Sequence, residues 1–208
     1  MEINKIYCMD ALELLKQLPD KSVDLCLTDP PYGVNLNYDT YEDTEENWYK
    51  LMTTILPEIK RVSKMAIMPS CQIARLKWIY EHHPPDWLIC WYKGSVGTSA
   101  YVGFNDWEPL LVYGKNDGVQ MHDYFKCQPT AFNNGHPCPK PINWARWIIQ
   151  RATKEGNLIL DPFSGSGTVC IVSKQLNRNF IGCDISQMYV DITNERLKQA
   201  NISSFFDY

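Results

Sequence analysis

Short strand-like apolar runs alternate with stretches of helical periodicity along this chain, and that alternation restricts its fold more than any other feature. The strand-like runs are Lys5–Cys8, Ser22–Thr28, Lys64–Met68, Trp87–Tyr92, Glu108–Tyr113, Asn157–Leu160 and Asn179–Cys183. The helical stretches are Ala11–Leu18, Trp48–Val62, Ile73–His82, Ile142–Thr153, Thr168–Leu176 and Gln187–Ala200. In the first of these, Leu12, Leu15 and Leu18 recur at helical spacing and Pro19 closes the run. Such alternation predicts an α/β domain with a mostly parallel sheet. Between Trp87 and Tyr113 two runs follow each other without a helix, which predicts an antiparallel pair at one sheet edge. Gly33–Asn47 and Lys115–Pro139 read as long loops, which in compact domains usually carry function. No repeat or low-complexity tract divides the 208 residues, so a single domain, 1–208, is expected.

Several function classes drop out early. No run approaches the roughly 18 apolar residues that span a bilayer. Met1–Lys5 is too polar to open a secretory signal, so a cytoplasmic location is expected. Eight cysteines without a CxxC pair read as small, reduced core residues. His122, Cys127, His136 and Cys138 fall at spacings unlike the usual zinc patterns, and no metal is expected. A net charge of −4 argues against nucleic-acid binding by bulk electrostatics but leaves local basic surface open.

Two turns carry the chemistry. Asp161-Pro162-Phe163-Ser164-Gly165-Ser166-Gly167-Thr168 joins the run Leu158–Leu160 to a helix. A glycine-rich turn there lets backbone approach a ligand and aims free N–H groups at polar or anionic atoms. Gly182-Cys183-Asp184 ends the next strand, where an acid can accept both hydroxyl hydrogens of a ribose. Together they predict a bound nucleoside. No GKS or GKT follows the glycines and GxGxxG is absent, which favours an adenosine cofactor smaller than a dinucleotide. The second turn, Thr28-Asp29-Pro30-Pro31-Tyr32, follows the strand Val23–Leu27. Its prolines stiffen the backbone and remove two N–H groups, so carbonyls face outward. Asp29 and the Pro30 carbonyl can each accept one N–H of a planar –NH2 group while Tyr32 stacks on the ring that carries it.

The pair of turns resembles the amino-methyltransferases that modify N6 of adenine or N4 of cytosine in DNA. The order here, catalytic turn before cofactor turn, is similar to the family's permuted beta-type arrangement. Met9-Asp10-Ala11-Leu12 resembles the family element that contacts the cofactor's adenine. His136-Pro137-Cys138-Pro139-Lys140-Pro141 resembles the element that opens the helix before the cofactor strand. Trp91-Tyr92-Lys93 and Trp107-Glu108-Pro109-Leu110-Leu111 resemble its weaker strand motifs. The resemblance implies a class I S-adenosylmethionine-dependent methyltransferase fold, with a seven-stranded, mostly parallel sheet entered at its third strand and helices on both faces. It implies S-adenosyl-L-methionine as cofactor, held by Asp10, Ala11, Lys140, Asp161, Pro162, Phe163, Ser164, Gly165, Gly167, Thr168, Asp184 and Ile185. It assigns catalysis to Asp29, Pro30, Pro31 and Tyr32, acting on a DNA base flipped out of the helix.

Adenine is expected over cytosine because the family's cytosine-N4 members usually carry Ser where this chain has Asp29. The alternatives are an N4-cytosine enzyme, an enzyme acting on RNA or single strands, and a non-catalytic partner subunit. The last is disfavoured because both turns are intact. The family's target-recognition insert shrinks here to about residues 115–135, a segment short for the roughly 1,000–2,500 Å2 that specific DNA interfaces bury. Two solutions are open, a homodimer that supplies the missing surface, which is the one expected, or loose recognition of a very short target. Gly33–Asn47, attached to the catalytic turn, is expected to be a mobile lid that orders over substrate.

Overall fold

The computed structural model describes residues 1–70, 73–94, 99–100, 103–115, 121–129 and 139–199. The chain runs β1 (Lys5–Cys8), α1 (Ala11–Lys16), β2 (Val23–Leu27), α2 (Glu45–Val62), β3 (Ser63–Pro69), α3 (Ile73–His82) and β4 (Trp87–Tyr92). It continues through β5 (Ser99–Ala100), β6 (Gly103–Phe104), β7 (Trp107–Gly114), β8 (Tyr124–Lys126), α4 (Ile142–Ala152), β9 (Leu158–Asp161), α5 (Thr168–Gln175), β10 (Asn179–Asp184) and α6 (Gln187–Gln199). Eight strands form one sheet in the order β1-β10-β9-β2-β3-β7-β4-β8, while β5 and β6 pair separately. Within the large sheet β7 is antiparallel to β3 and β4, and every other pairing is parallel.

Every expected strand and helix forms, and the differences are instructive. The sheet has eight strands where seven were expected. The extra one, β8, lies in the segment read as a loop and takes the edge position beyond β4. Three residues with one buried side chain, Phe125, between exposed Tyr124 and Lys126 make too short a pattern to detect. Helix α2 starts at Glu45 rather than Trp48. Its cap is Thr44, whose side chain accepts from the Asn47 N–H, and Glu45 and Glu46 complement the positive end of the helix.

Two apolar layers sandwich the sheet. On one side α4, α5 and α6 bring Trp144, Ile148, Ile149, Val172 and Leu197 against Leu25, Ile67, Ile159 and Phe180. On the other, α1 and α2 bring Leu14, Leu15, Ile55, Leu56 and Ile59 against Cys26, Ala66, Leu160 and Ile181. Strand neighbours such as Leu25 and Cys26 therefore serve opposite layers, as the two-residue period of a strand requires. Among the described residues no helix is long and apolar enough to cross a membrane.

The topology fixes where a ligand can sit. Strands β9 and β2 are adjacent, yet β9 leads through α5 to β10 on one side and β2 leads through α2 to β3 on the other. That divergence opens a crevice at their carboxyl ends, the position where open α/β sheets bind ligands.

Candidate active site

At the crevice, Thr28 Oγ1 donates a 2.7 Å hydrogen bond to Asp161 Oδ1, with both side chains buried. This bond ties the end of β2 to the end of β9 and sets the two sequence-predicted turns side by side. Beyond it lies a cavity of about 130 Å3. Asp161, Pro162, Phe163, Ser164, Gly165 and Thr168 form its glycine-turn wall, and Asp184 and Ile185 enter from the end of β10. Asp10 and Ala11 enter from the start of α1, and Lys140 from the segment before α4. Asp29 and Pro31 bring the other turn into the same cavity, whereas Pro30 and Tyr32 line a small adjoining one beside Trp48 and Arg75. His136, Pro137 and Cys138 lie outside the described residues.

Gly167 was expected at the cofactor and does not line the cavity. Its φ of +83° suits glycine, and a Cβ there would stand 2.3 Å from Thr193 Cγ2. Its task is to let α5 begin against α6. Asp184 is held rigidly, Oδ2 accepting from the Gly165 N–H at 2.8 Å and Oδ1 from the Ser186 N–H at 2.9 Å. A carboxylate has about four acceptor sites, so capacity for ligand hydroxyls remains. Asp10 caps α1, its Oδ1 accepting from the Leu12 N–H at 2.8 Å and the Glu13 N–H at 3.2 Å.

Asp29 is the hub of a chain of polar contacts that ends in a lysine on either side. Its Oδ2 accepts from Lys140 Nζ and its Oδ1 from the Tyr32 hydroxyl. The Tyr32 oxygen also lies 3.4 Å from Glu108 Oε1, and Glu108 Oε2 accepts from Lys93 Nζ at 3.1 Å. Lys140, read from the sequence as a cofactor contact, thus lines the cavity while placing its ammonium on Asp29 and 5.3 Å from the Tyr32 ring centre. Arg75 holds the turn from behind. Its guanidinium is buried and donates to the Tyr32 carbonyl at 3.2 Å and the Gly33 carbonyl at 2.9 Å.

Residues 86–195 match the N6_N4_Mtase family model, described as DNA methylase. The chain belongs to this family of DNA methylases. Among its relatives, the Type II methyltransferase M.HpaI of Haemophilus parainfluenzae is 27% identical over 240 residues, covering 93% of this chain and 74% of that one. The DNA adenine methyltransferase YhdJ of Escherichia coli strain K12 is 27% identical over 254 residues, covering 96% and 84%. A putative DNA modification methylase from Thermus thermophilus, solved in complex with S-adenosyl-L-methionine, superposes with a TM-score of 0.71 at 18% identity, covering 94% and 93%. This DNA methylase therefore has the class I S-adenosylmethionine-dependent methyltransferase fold, entered through the edge strand β1.

Sequence reasoning missed part of the methylase's cavity. Tyr38, Thr40 and Tyr41 line it from the acidic segment after the Asp29 turn, and Trp144 and Tyr189 from the α4 and α6 layer. The segment is folded down. Asp43 Oδ1 accepts from the Gly33 N–H at 2.6 Å, and its Oδ2 accepts from the Val34 and Leu36 N–H groups, each at 3.1 Å. Asp39 Oδ2 accepts from Ser186 Oγ at 2.6 Å. The segment expected to be a mobile lid thus contributes side chains to the wall of the cavity bounded by the glycine turn. Trp144 was unreadable because its spacing in α4 is that of any buried helix face.

Burial pushes the Asp161 carboxyl up to about 7, with bonds from Thr28 and the Phe163 N–H opposing and Asp29 and Asp184 adding to the rise. Burial raises Asp184 as well. Between about pH 4 and pH 7 the folded protein retains a proton on Asp161 that the unfolded chain has released. The associated stability is complete below the unfolded pKa and is lost as pH rises towards 7. Asp161→Asn keeps an acceptor for Thr28 and cannot ionise. Its melting temperature is expected to fall less than the parent's between roughly pH 5 and pH 8, and to exceed it at the upper end. Parallel melting curves across that range would show that Asp161 is ionised throughout.

Proposed function

We propose that this chain transfers a methyl group from S-adenosyl-L-methionine to N6 of adenine in DNA. The observation that carries the reading is the shared cavity. Because β2 and β9 are neighbours, the carboxylate of Asp29 lines the space that the glycine turn and Asp184 also enclose.

The residues present fit the cofactor. Three side chains that line the cavity, Tyr41, Trp144 and Ser164, each carry a buried polar atom (OH, Nε1 and Oγ) with no hydrogen-bond partner among the described residues. Buried polar groups are nearly always paired, so such atoms mark where a polar ligand completes the site. Asp184 would accept the ribose hydroxyls, Phe163, Ser164 and Gly165 would follow the nucleoside, and Asp10, Ala11 and Ile185 would meet its base. When bound, the cofactor supplies an electrophilic methyl on a cationic sulfur.

The protein's own task is the nucleophile, since an exocyclic amine shares its lone pair with the ring. Asp29 and the Pro30 carbonyl would accept the two amine hydrogens, draw the nitrogen towards tetrahedral geometry and stabilise the positive charge that develops. Lys140 and the Tyr32 hydroxyl hold the Asp29 carboxylate in position until the amine displaces one of them. The Tyr32 ring would replace the stacking that the base loses on leaving the helix. After transfer, the surplus amine proton passes to an Asp29 oxygen. Alignment of amine, methyl and sulfur supplies the remaining acceleration.

The choice of adenine rests on Asp29 standing where cytosine-N4 enzymes of the family usually carry Ser, and is supported by the likeness to an adenine methyltransferase. Digestion of methylated DNA to nucleosides, followed by mass spectrometry, is expected to yield N6-methyldeoxyadenosine. N4-methyldeoxycytidine would overturn the base assignment and leave methyl transfer standing. For the cofactor half, Asp184→Ala is expected to weaken S-adenosylmethionine binding by about 1–3 kcal/mol, measured by calorimetry. Unchanged affinity would place the ribose elsewhere.

A further inference from the structure

The acidic segment between the Asp29 turn and α2 contains a buried polar atom, on a side chain that lines the cavity, that no sequence motif accounts for. Tyr41 OH is buried, lacks a hydrogen-bond partner among the described residues, and belongs to a side chain lining the large cavity. Tyr38 and Thr40 line the same cavity, and the Tyr38 and Tyr41 rings pack edge to face at 6.5 Å. Both ends of this strap are tied. At its root, Asp43 gathers the N–H groups of Gly33, Val34 and Leu36, and Asn37 and Glu42 form an antiparallel bridge. At its tip, Asp39 takes the hydroxyl of Ser186, two residues beyond Asp184. The root bonds join the strap to itself and to the catalytic turn. The tip bond joins it to the opposite wall of the cavity.

We propose that Tyr41 is a cofactor-binding residue and that the strap carrying it is the gate through which the cofactor enters and leaves, latched by the Asp39–Ser186 hydrogen bond. This rests on the reading that S-adenosylmethionine occupies the cavity. The Tyr41 hydroxyl donates to a polar atom of the cofactor and so acquires the partner it lacks. Burial, with Asp43 adding to it, raises the Tyr41 phenol to about 12, so it keeps its proton at neutral pH and acts as a donor. The root bonds to Asp43 confine the hinge to residues between Leu36 and Glu42.

An unpaired buried hydroxyl burdens the free protein and serves only the complex, which gives the test two readouts of opposite sign. Tyr41→Phe is expected to raise the melting temperature of the free protein. The same change is expected to weaken S-adenosylhomocysteine binding on the order of tenfold by calorimetry. A merely structural Tyr41 would lower the melting temperature or leave binding unchanged, and either result overturns the assignment. For the gate, Asp39→Ala and Ser186→Ala each break the same bond. Stopped-flow displacement of S-adenosylhomocysteine is expected to show dissociation several-fold faster in each, with no further increase in the double variant. Dissociation at the parental rate in both single variants overturns the latch. If the parent chain binds neither S-adenosylmethionine nor S-adenosylhomocysteine, the cofactor reading itself fails. If the parent binds and the variants match it, only this inference fails.

Discussion

Replacing Asp29 by Ala is expected to abolish methyl transfer while leaving cofactor affinity within a few-fold of the parent. The carboxylate is the only charged group of its turn that lines the cavity, and it is held by Lys140 on one oxygen and Tyr32 on the other. In the proposed reaction it accepts an amine hydrogen and faces the positive charge as it develops. Losing one such preorganised contact costs roughly 10^2–10^3-fold in kcat. Here the loss is larger, because Ala also removes the negative charge that lies between the Lys140 ammonium and a nitrogen becoming positive. Asp184 and the glycine turn are untouched, so calorimetric binding of the cofactor should survive. A variant retaining most of its activity would remove Asp29 from the chemistry.

The second large effect is expected at Arg75, which no motif pointed to. Its guanidinium is 4% exposed, pairs with Glu45 Oε1 at 2.7 Å and lies 5.1 Å from the Trp48 ring and 5.4 Å from the Tyr49 ring. Two of its bonds go to the carbonyls of Tyr32 and Gly33, at the exit of the Asp29 turn. Arg75→Ala strands those carbonyls and leaves a void beneath the turn. The expected cost is ~3 kcal/mol, mostly from the buried carbonyls, since the Glu45 partner is exposed and contributes little. For a domain of this size that lowers the melting temperature by roughly 6–12 °C. The turn also loosens, so kcat should fall by more than KM rises, and Arg75→Lys, with one point charge for two carbonyls, should recover only part of it. Parental stability and kcat in Arg75→Ala would show that the prolines alone hold the turn.

The legible parts of this chain share a physical cause, and so do the illegible ones. Alternating periodicity located every long strand and helix because burial on a sheet or a helix face writes its period into the sequence. The two turns were readable because their chemistry is local: five residues following β2 and eight beginning with the last residue of β9 contain what they need. Strand β8 was not, because a three-residue strand borrows its order from β4. Nor was the acidic strap, whose fold depends on Asp43 reaching three N–H groups and Asp39 reaching Ser186, which lies 147 residues away. Lys140 shows the limit most clearly. A resemblance placed it at the cofactor, and the fold put its ammonium on the carboxylate assigned to the target amine. Contacts made across the sheet leave no periodic trace.

The most direct measurement is transfer of labelled methyl from S-adenosylmethionine to DNA by the purified chain, with the parent and Asp29→Ala assayed side by side on duplex and single-stranded DNA. The account predicts label in DNA for the parent, located at N6 of adenine, and none above background for the variant. No transfer by a parent chain that binds the cofactor, or equal transfer by the Asp29→Ala variant, would contradict it.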